Sequence, residues 1–546
     1  MKITPTLMAM LDECAAVCSM LTPTRRRFLV TVAAAVAVAV GSVPMAPWAY
    51  ASDDPFDPRE IATWSAPMVS SAPSAANRIN DQTLRLIAHV SIGGDRVRIK
   101  LSNRYGTAPL VIGAAQVGLR AAAGGSDIVA GSSRPLTFSG TASFAIPTGA
   151  ELMSDWIAFT VPALSDLAVD LYIPGDTGTV GTGSPITGFN GAMQTNYVST
   201  TGNHAGETPF PVASTRLAWP FLSAIDTRAS HPTGTIVTFG DSITQGLRST
   251  NDTNRRWPDV LARRIIAADA GNERGVANVG ISGNRVWTGG TNTNPSAMSR
   301  IDRDVLVQTN ATHIIQLLGI NDISGGATAA QVIAALEQMT ARAHSVGIKI
   351  IGGTMTPFGN APDAREAIRL EVNNWIRTTS EYDGYVDFDA AVRDPSNPRR
   401  MLLQYDSGDT LHPNDAGYEA MGNAVNLSLF GIVAEIPRAA LPPVMLQVVP
   451  SVLNLRTLGG LVTIVLTVPA GYDLRQWGVV DVRAEGAPAV STALSSDGTS
   501  LVASFRRSDL INVAAGDAVT FTVTGTANQG GAQGPLVGST IVRVLR

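Results

Sequence analysis

Short apolar runs alternate with helical segments along the middle of this chain, between about residues 235 and 388. The first run is rich in β-branched residues and is ended by Gly240, as is typical of a strand buried in a parallel sheet. Strand and helix in alternation favour right-handed βαβ units, so we predict a parallel sheet covered by helices. The predicted strands are Thr235–Phe239, His313–Leu318, Lys349–Ile351 and Tyr385–Phe388, and the predicted helices are Pro258–Ala268, Ala329–His344 with Thr328 as its N-cap, and Arg365–Thr378.

Four short polar segments follow one another through this region. They are Gly240–Ser242, Asn278–Asn284, Gly319–Asp322 and Asp409–Pro413. Each segment alone is typical of an ordinary turn or strand end, so none is specific by itself. The first and the third come directly after predicted strands, and open α/β sheets place their active sites at the carboxyl ends of strands. The four segments in this order therefore predict an active site.

The residue types in these segments are those that ester cleavage by a serine requires. A serine hydroxyl is a poor nucleophile until an imidazole takes its proton, and a carboxylate must fix the tautomer of that imidazole. Ser242, His412 and Asp409 supply these groups. The oxyanion of the tetrahedral intermediate needs preorganised donors. The backbone N–H of Ser242, a glycine N–H of the second segment and the side-chain amide of Asn321 are the candidates.

The chain resembles the SGNH hydrolases, which are the esterases and lipases of the GDSL type. The four lettered residues of that family correspond here to Ser242, Gly283, Asn321 and His412. Its acidic residue lies three positions before the histidine, where this chain has Asp409. The resemblance therefore implies that these five residues form the catalytic triad and the oxyanion hole.

The resemblance also implies a fold. Residues 231–432 would form a flavodoxin-like α/β/α domain of three layers, distinct from the α/β-hydrolases. The Gly-x-Ser-x-Gly elbow of the latter does not surround Ser242, which has Asp241 before it. Either Gly280 or Gly283 could offer an N–H to the oxyanion, and the family pattern selects Gly283.

Residues 1–51 are typical of a twin-arginine export signal. Thr24–Leu29 contains three arginines, an Ala/Val-rich stretch follows as far as Val43, and Ala49–Ala51 is a small-x-small cleavage site. An uncleaved anchor helix is the alternative. It is disfavoured because glycine and proline interrupt the apolar stretch, which is shorter than the roughly 20 residues that a membrane span prefers. We therefore expect export and an extracellular or periplasmic location.

Cysteine usage agrees with this expectation. The chain contains two cysteines, Cys14 and Cys18, and both lie within the predicted signal. Cleavage after Ala51 would leave a mature chain without cysteine, and so would a start at Met20. Neither cysteine is expected to serve in a metal site or a redox reaction, and no other His/Cys cluster has ligand spacing.

Regions of β character flank the central segment. Arg96–Leu101 alternates polar and apolar residues, and similar short strands separated by turns predict a β-sandwich over residues 55–225. This region resembles accessory domains of some secreted GDSL enzymes, and it could bind carbohydrate, shape the rim of the active site or add stability. After Pro442-Pro443, strands such as Val462–Val468 predict an immunoglobulin-like β domain over residues 442–546.

The remaining polar residues have simpler interpretations. Asp241 is interpreted as a turn residue, and Asp322 is interpreted as orienting the loop of Asn321. Arg285 and Trp287 follow Gly283 closely and could line the acyl or alcohol pocket, although such an aromatic residue more often packs. The other histidines are interpreted as structural or surface residues, namely His89, His204, His231, His313 and His344.

These observations predict a secreted serine esterase that hydrolyses carboxylic esters through an acyl-enzyme on Ser242, with no metal or organic cofactor. Its partner would be a small-molecule or polysaccharide ester, either an acyl ester or an acetylated glycan. The alternative is a glycan-binding or surface-binding protein with a relic hydrolase domain. The formal charge of −4 and the lack of a basic run outside the N-terminal region argue against nucleic acid. No stable membrane span is expected after signal cleavage.

Overall fold

The computed structural model describes most of the chain beyond the predicted signal. Pro58–Arg546 forms one compact unit. Residues 1–51, with both cysteines, lie outside the described residues. Among the residues that are described, no helix is long and apolar enough to span a membrane. The described ranges are 57–179, 181–268, 273–359, 361–432, 434–435, 444–456, 459–469, 472–510, 513–529 and 532–545.

The N-terminal region consists of antiparallel β-strands. One large sheet has the order β1-β16-β4-β10, with β9 beside β4, and the other has the order β14-β13-β3-β11-β6-β7. Smaller sheets have the orders β15-β12-β2 and β5-β8. The strands are β1 Glu60–Ser65, β2 Val69–Ser71, β3 Asn80–His89, β4 Gly94–Ser102, β5 Leu110–Ile112, β6 Ala114–Leu119, β7 Arg134–Pro135, β8 Phe144–Ile146, β9 Glu151–Met153, β10 Ile157–Val161, β11 Asp166–Asp176, β12 Ile186–Asn190, β13 Asn196–Thr201, β14 Val212–Arg216, β15 Ala218–Pro220 and β16 Leu222–Arg228.

One apolar core joins these sheets. In β4, Val97, Ile99 and Leu101 are buried and the polar residues between them are half-buried, which confirms the strand predicted from the alternation of Arg96–Leu101. Leu84 of β3 belongs to the same core, so the two large sheets pack against each other as a sandwich.

The central region is an α/β domain with a parallel sheet of order β18-β17-β19-β20-β21. In chain order these strands run 2-1-3-4-5, the doubly-wound order of flavodoxin-like folds. The strands are β17 Pro232–Gly240, β18 Glu273–Asn278, β19 Ala311–Leu317, β20 Lys349–Gly353 and β21 Tyr385–Val386, and an antiparallel pair follows, β22 Arg393–Asp394 and β23 Asn397–Met401. The helices are α1 Ser242–Gln245, α2 Trp257–Ala268, α3 Ala297–Ile301, α4 Ile320–Ser324, α5 Ala329–His344, α6 Asp363–Thr378, α7 Phe388–Val392 and α8 Asp415–Ala424, with a π-helical turn at Asp302–Leu306 and a 3₁₀ turn at Leu427–Phe430.

Helices cover both faces of this sheet. Val237 and its neighbours on one face pack against α5 and α6, and Ile236 and its neighbours on the other face pack against α2 and α8. Successive strand residues point to opposite faces of the sheet. Because helices cover both faces, the sequences of these strands are continuous apolar runs. The α/β/α layering expected for this region is therefore present.

Most of the predicted central elements are confirmed within two or three residues. The helix Ala329–His344 begins at the predicted N-cap, where Thr328 forms a capping box with Gln331. One prediction is partly wrong, because the strand expected to reach Phe388 ends at Val386. Asp387 instead accepts a hydrogen bond from Ala390 N–H and caps helix α7, so a local side-chain contact ends the strand.

Strand β18 is not predicted by the sequence pattern. Its sequence, Glu-Arg-Gly-Val-Ala-Asn, contains no long apolar run. The N-terminal sandwich supplies the cover that makes this edge strand stable. Val276 N–H donates to Ser91 Oγ at 2.9 Å, and an added Cβ on Gly275 would lie 2.0 Å from the Ala62 carbonyl oxygen.

Strands also form the C-terminal region. They make one sheet of order β24-β33-β32-β28-β29, with β26 beside β33, and a second of order β25-β27-β31-β30. Both sheets contribute to one apolar core that includes Ile464, Phe505 and Phe521. The strands are β24 Ala434–Glu435, β25 Met445–Val449, β26 Val452–Asn454, β27 Leu461–Thr467, β28 Gly478–Ala484, β29 Ala487–Pro488, β30 Ser491–Leu494, β31 Ser500–Arg506, β32 Gly516–Gln529 and β33 Ala532–Leu545, with 3₁₀ turns at Leu474–Gln476 and Arg507–Asp509.

Candidate active site

Ser242 lies at the carboxyl end of strand β17 and begins the short helix α1. Asp241 caps this helix, because its side chain accepts a hydrogen bond of 3.0 Å from Ile243 N–H. Gly240 allows the tight turn from strand to helix, since an added Cβ there would lie 2.0 Å from Thr244 Oγ1. The strand-to-helix turn therefore fixes the position of the serine hydroxyl.

The structure brings the three predicted triad residues together. Ser242 Oγ lies 2.8 Å from His412 Nε2, and His412 Nδ1 lies 2.8 Å from Asp409 Oδ2. Both distances are within hydrogen-bonding range. The imidazole therefore joins a carboxylate in the loop before α8 to a hydroxyl at the sheet edge, and Ser242 and His412 are 170 residues apart in the chain.

The Asp409 carboxylate is held by its own loop. Its Oδ1 accepts hydrogen bonds from His412 N–H at 2.8 Å and Leu411 N–H at 3.1 Å. Burial raises the pKa of Asp409, but hydrogen bonds from the backbone and side chain of His412 and from Leu411 outweigh burial and hold this pKa well below its usual range. Arg248 Nε, on an exposed side chain, lies 3.4 Å from Asp409 Oδ2. The carboxylate is therefore ionised at neutral pH.

The candidate oxyanion donors also lie at this edge of the sheet. Gly283 has a φ of +70°, a conformation that favours glycine, and within the described residues its N–H makes no hydrogen bond. Gly280 N–H donates instead to Asn278 Oδ1 at 3.0 Å. Of the two glycines that could offer an N–H, Gly283 is therefore the one with a free donor.

Asn321 is tied to the same loop. It lies in the first turn of α4, just past the end of β19, and its side-chain amide donates to the Asn284 carbonyl at 3.1 Å. A longer contact of 3.4 Å joins this amide to Asp241 Oδ2. The structure thus places Asn321 beside the Gly283 loop and the turn that carries Ser242.

Arg300 is a positioning residue that the sequence interpretation missed. Its side chain is fully buried and donates to the carbonyls of Gly240 at 3.0 Å and Val279 at 2.7 Å. It also donates to Asn284 Oδ1 at 2.8 Å, and its guanidinium lies 4.5 Å from the ring centre of Phe239. One cation therefore holds the end of strand β17 and both ends of the Gly283 loop, although no motif in the sequence marks it.

Gln245 is a second missed residue. Its Oε1 accepts a hydrogen bond of 2.7 Å from Ser282 N–H, and its Nε2 donates to the Gly191 carbonyl at 2.9 Å. The Gly283 loop, helix α1 and the N-terminal sandwich therefore meet at this side chain. Its place three residues after Ser242 is the only sequence signal for it, since its partners are distant in the chain.

Two buried carboxyl groups lie behind the site. Burial, together with the nearby carboxyl of Asp322, raises the pKa of Asp241 to about 7. Burial also raises the pKa of Asp322, although Oδ2 of that residue accepts a hydrogen bond of 2.8 Å from Val286 N–H. Asp322 thus binds the loop that follows Gly283, whereas the prediction assigned it to the loop of Asn321.

The other singled-out side chains lie outside the hydrogen-bonded triad. The guanidinium of Arg285 lies against Gly325, since an added Cβ on that glycine would be 2.8 Å from it, and Trp287 is 43% exposed. The histidines His89, His204 and His344 each contact one carboxylate, of Asp166, Glu207 and Asp383 respectively. His313 is buried, and burial lowers its pKa to about 4. Within the described ranges, no group of three or more His, Cys, Asp or Glu side chains could hold a metal ion.

Residues 238–420 match the family model of the GDSL-like lipase/acylhydrolases. Among solved structures, the acetylxylan esterase Axe2 from Geobacillus stearothermophilus is 20% identical, over 38% of this chain and 98% of Axe2, with a TM-score of 0.30. A member of the lipolytic G-D-S-L family from Veillonella parvula is 21% identical, over 35% of this chain and 94% of its own, with a TM-score of 0.27. Similarities of this size identify no substrate. No curated protein matches this chain.

Proposed function

We propose that the protein is a serine esterase that hydrolyses carboxylic esters through an acyl-enzyme on Ser242, a proposal supported by the match of residues 238–420 to the GDSL-like lipase/acylhydrolase family model. The observation that carries this proposal is the continuous hydrogen-bonded path from Ser242 Oγ through His412 to Asp409, with 2.8 Å at each step. A relic domain without activity would not be expected to retain this geometry. The hydrogen-bonded path therefore favours an enzyme over a binding protein.

The first half of the reaction forms the acyl-enzyme. His412 Nε2 takes the proton of Ser242 Oγ as this oxygen attacks the carbonyl carbon of the ester. Asp409 accepts the hydrogen bond from His412 Nδ1–H and stabilises the imidazolium. The tetrahedral intermediate then collapses, the bond from carbon to the alcohol oxygen breaks, and His412 gives its proton to the leaving alcohol.

The second half releases the acid. A water molecule attacks the acyl-enzyme while His412 again acts as the base, and the proton returns to Ser242 Oγ as the carboxylic acid leaves. A negative charge develops on the carbonyl oxygen in both halves of the reaction, once in each tetrahedral intermediate. The N–H groups of Ser242 and Gly283 and the amide of Asn321 are proposed to bind it, and each such donor is typically worth about 10²–10³ in rate.

The proposal also covers the export of the protein and the class of its substrate. The features of residues 1–51 support delivery by a twin-arginine-type signal to an extracellular or periplasmic location. The substrate is proposed to be an acyl ester or an acetylated glycan, with no metal or organic cofactor.

The test is hydrolysis of p-nitrophenyl esters, from acetyl to long acyl chains, by the purified protein and by Ser242→Ala. We expect turnover that the substitution abolishes, and labelling by diisopropyl fluorophosphate that mass spectrometry locates on Ser242. Ser345→Ala is the matched control, because Ser345 is exposed at the end of α5 and its hydroxyl bonds only to a local carbonyl. Full activity of Ser242→Ala would overturn the proposed mechanism.

A further inference from the structure

A cleft lies beside the Gly283 loop, between the N-terminal sandwich and the central domain. Its volume is about 430 Å³, within the range of small-molecule binding sites. Ser71 and Asn190 line it from the sandwich, and Ser282 and Thr293 line it from the central domain. Because Ser282 directly precedes Gly283, a group bound in this cleft would lie close to the reacting ester.

The cleft continues outward along the sandwich. A second hollow of about 310 Å³ shares Ser71, Asn77, Phe189 and Asn190 with the first and is also lined by Arg216. The two hollows therefore form one groove, which starts at the Gly283 loop and runs over the sheet of β2, β12 and β15. A groove of this form suits an extended molecule better than a compact one.

Hydrogen bonds across the two domains fix the walls of this groove. Gln245 binds both Ser282 and Gly191, the residue after Asn190. On a second side, Ser70 N–H donates to the Asn292 carbonyl at 2.8 Å. The walls are therefore held by the buried side chain of Gln245 and by a backbone hydrogen bond, and neither depends on an exposed, flexible side chain, so the groove is preorganised for a ligand.

The chemistry of the lining indicates the kind of ligand. The described residues that line the first hollow carry no charge, and their polar side chains are hydroxyls and amides. The second hollow includes Arg216, whose guanidinium already donates to the carbonyls of Asn77 and Arg78. Asn190 Nδ2 donates to Ser71 Oγ at 2.9 Å, which leaves Asn190 Oδ1 and the Ser71 O–H to bind a ligand. An alkyl chain would leave these groups without partners, which is unfavourable. A neutral molecule rich in hydroxyl groups would satisfy them.

We propose that this groove binds the alcohol portion of the ester and that this portion is a neutral carbohydrate, so that the protein removes acyl groups from a glycan. The inference rests on the proposed esterase function and deepens it. The N-terminal sandwich then supplies part of the substrate site, and Asn190 and Ser71 determine specificity without taking part in the chemistry.

The test compares two kinds of substrate. One is p-nitrophenyl acetate, whose leaving group is too small to reach along the groove. The other is a set of chemically acetylated cello-, xylo- and manno-oligosaccharides. The variant is Asn190→Ala combined with Ser71→Ala, which removes both members of the hydrogen-bonded pair. We expect kcat/KM for an acetylated oligosaccharide to fall roughly tenfold, through a higher KM, because two ordinary hydrogen bonds to the substrate are lost. The kcat/KM for p-nitrophenyl acetate should stay unchanged within about twofold.

The controls separate this inference from the proposed function. Asn203→Ala changes an asparagine of the same sandwich that does not line the groove, and it should leave both activities unchanged. Unaltered oligosaccharide kinetics in the double variant would overturn the inference. So would a wild-type protein that cleaves p-nitrophenyl acetate but none of the acetylated oligosaccharides. If the wild type cleaves neither kind of ester, the esterase function itself fails and the inference fails with it.

Discussion

The side-chain amide of Gln245 donates a hydrogen bond of 2.9 Å to the carbonyl of Gly191, and this contact joins the helix of the nucleophile to the N-terminal sandwich. Because Gln245 Oε1 also accepts from Ser282 N–H, the sandwich and the Gly283 loop share one side chain. The sandwich is therefore part of the active-site framework.

Replacing Gln245 by leucine should lower esterase activity. Ser282 N–H and the Gly191 carbonyl would both lose their partner, and the Gly283 loop would lose its tie to α1. We expect kcat for p-nitrophenyl acetate to fall roughly 10- to 100-fold because a misplaced donor stabilises the oxyanion less well. Gln447→Leu, on an exposed position of the C-terminal region, is the control. Wild-type kcat in Gln245→Leu would contradict the role assigned to this contact.

Asp409→Asn should lower kcat by about 10²–10⁴ without unfolding the protein. The amide oxygen can still accept from the His412 and Leu411 N–H groups, but the amide nitrogen would face His412 Nδ1 and favour the wrong tautomer. Asp406→Asn is a control in the same loop, since Asp406 Oδ1 accepts only from backbone N–H groups of Gly408 and Thr410. Steady-state kinetics and thermal unfolding of both variants measure the difference.

The low pKa of Asp409 has a consequence for acid stability. A carboxyl whose folded pKa lies below its unfolded value stabilises the fold above the unfolded pKa, near 4, and loses this contribution as the pH falls through the folded pKa. Asp409→Asn should therefore unfold more easily than wild type at neutral pH, and the difference should shrink in strong acid. Urea unfolding at several pH values measures it, and a difference independent of pH would contradict the expectation.

Arg300→Met should destabilise the protein by several kcal/mol, because the buried carbonyl of Val279 loses its donor and that of Gly240 keeps only the hydrogen bond from Ile281 N–H. Esterase activity should fall with it, since these carbonyls end the nucleophile strand and begin the Gly283 loop. Arg342→Met is the matched control. Arg342 forms an exposed ion pair with Asp302, and such pairs are worth about 0–1 kcal/mol. Equal unfolding midpoints for the two variants would contradict the structure.

Asp241→Asn should flatten the dependence of stability on pH. The folded pKa of about 7 lies above the unfolded value near 4, so the folded state binds the extra proton between these values. The contribution of protonated Asp241 to the stability of the fold is full below the unfolded pKa and is lost as the pH rises through about 7. At about pH 8.5 the variant should be more stable than wild type by on the order of a few kcal/mol, since asparagine keeps the acceptor for Ile243 N–H. Asp517→Asn, at an exposed carboxylate, should change nothing.

Local patterns were sufficient where an element depends on its own residues. The helix Ala329–His344 and its cap at Thr328 were predicted correctly, because a capping box and an apolar face lie within the segment itself. The same holds for β4, in which the alternation of polar and apolar residues indicates which side chains face the core. Strand β18 could not be predicted from its own residues, because the surface that it packs against includes Ala62 and Ser91 in another part of the chain.

The sequence by itself determined the parallel α/β domain and the residue types for a serine, a histidine and an aspartate in one site. It could do so because periodicity and short segments are local properties. Only the tertiary structure decided that Arg300 and Gln245 position the Gly283 loop and that the N-terminal sandwich forms a wall of the adjoining cleft. These contacts join residues that are distant in the chain, and a hydrogen bond across such a distance leaves no pattern in either segment.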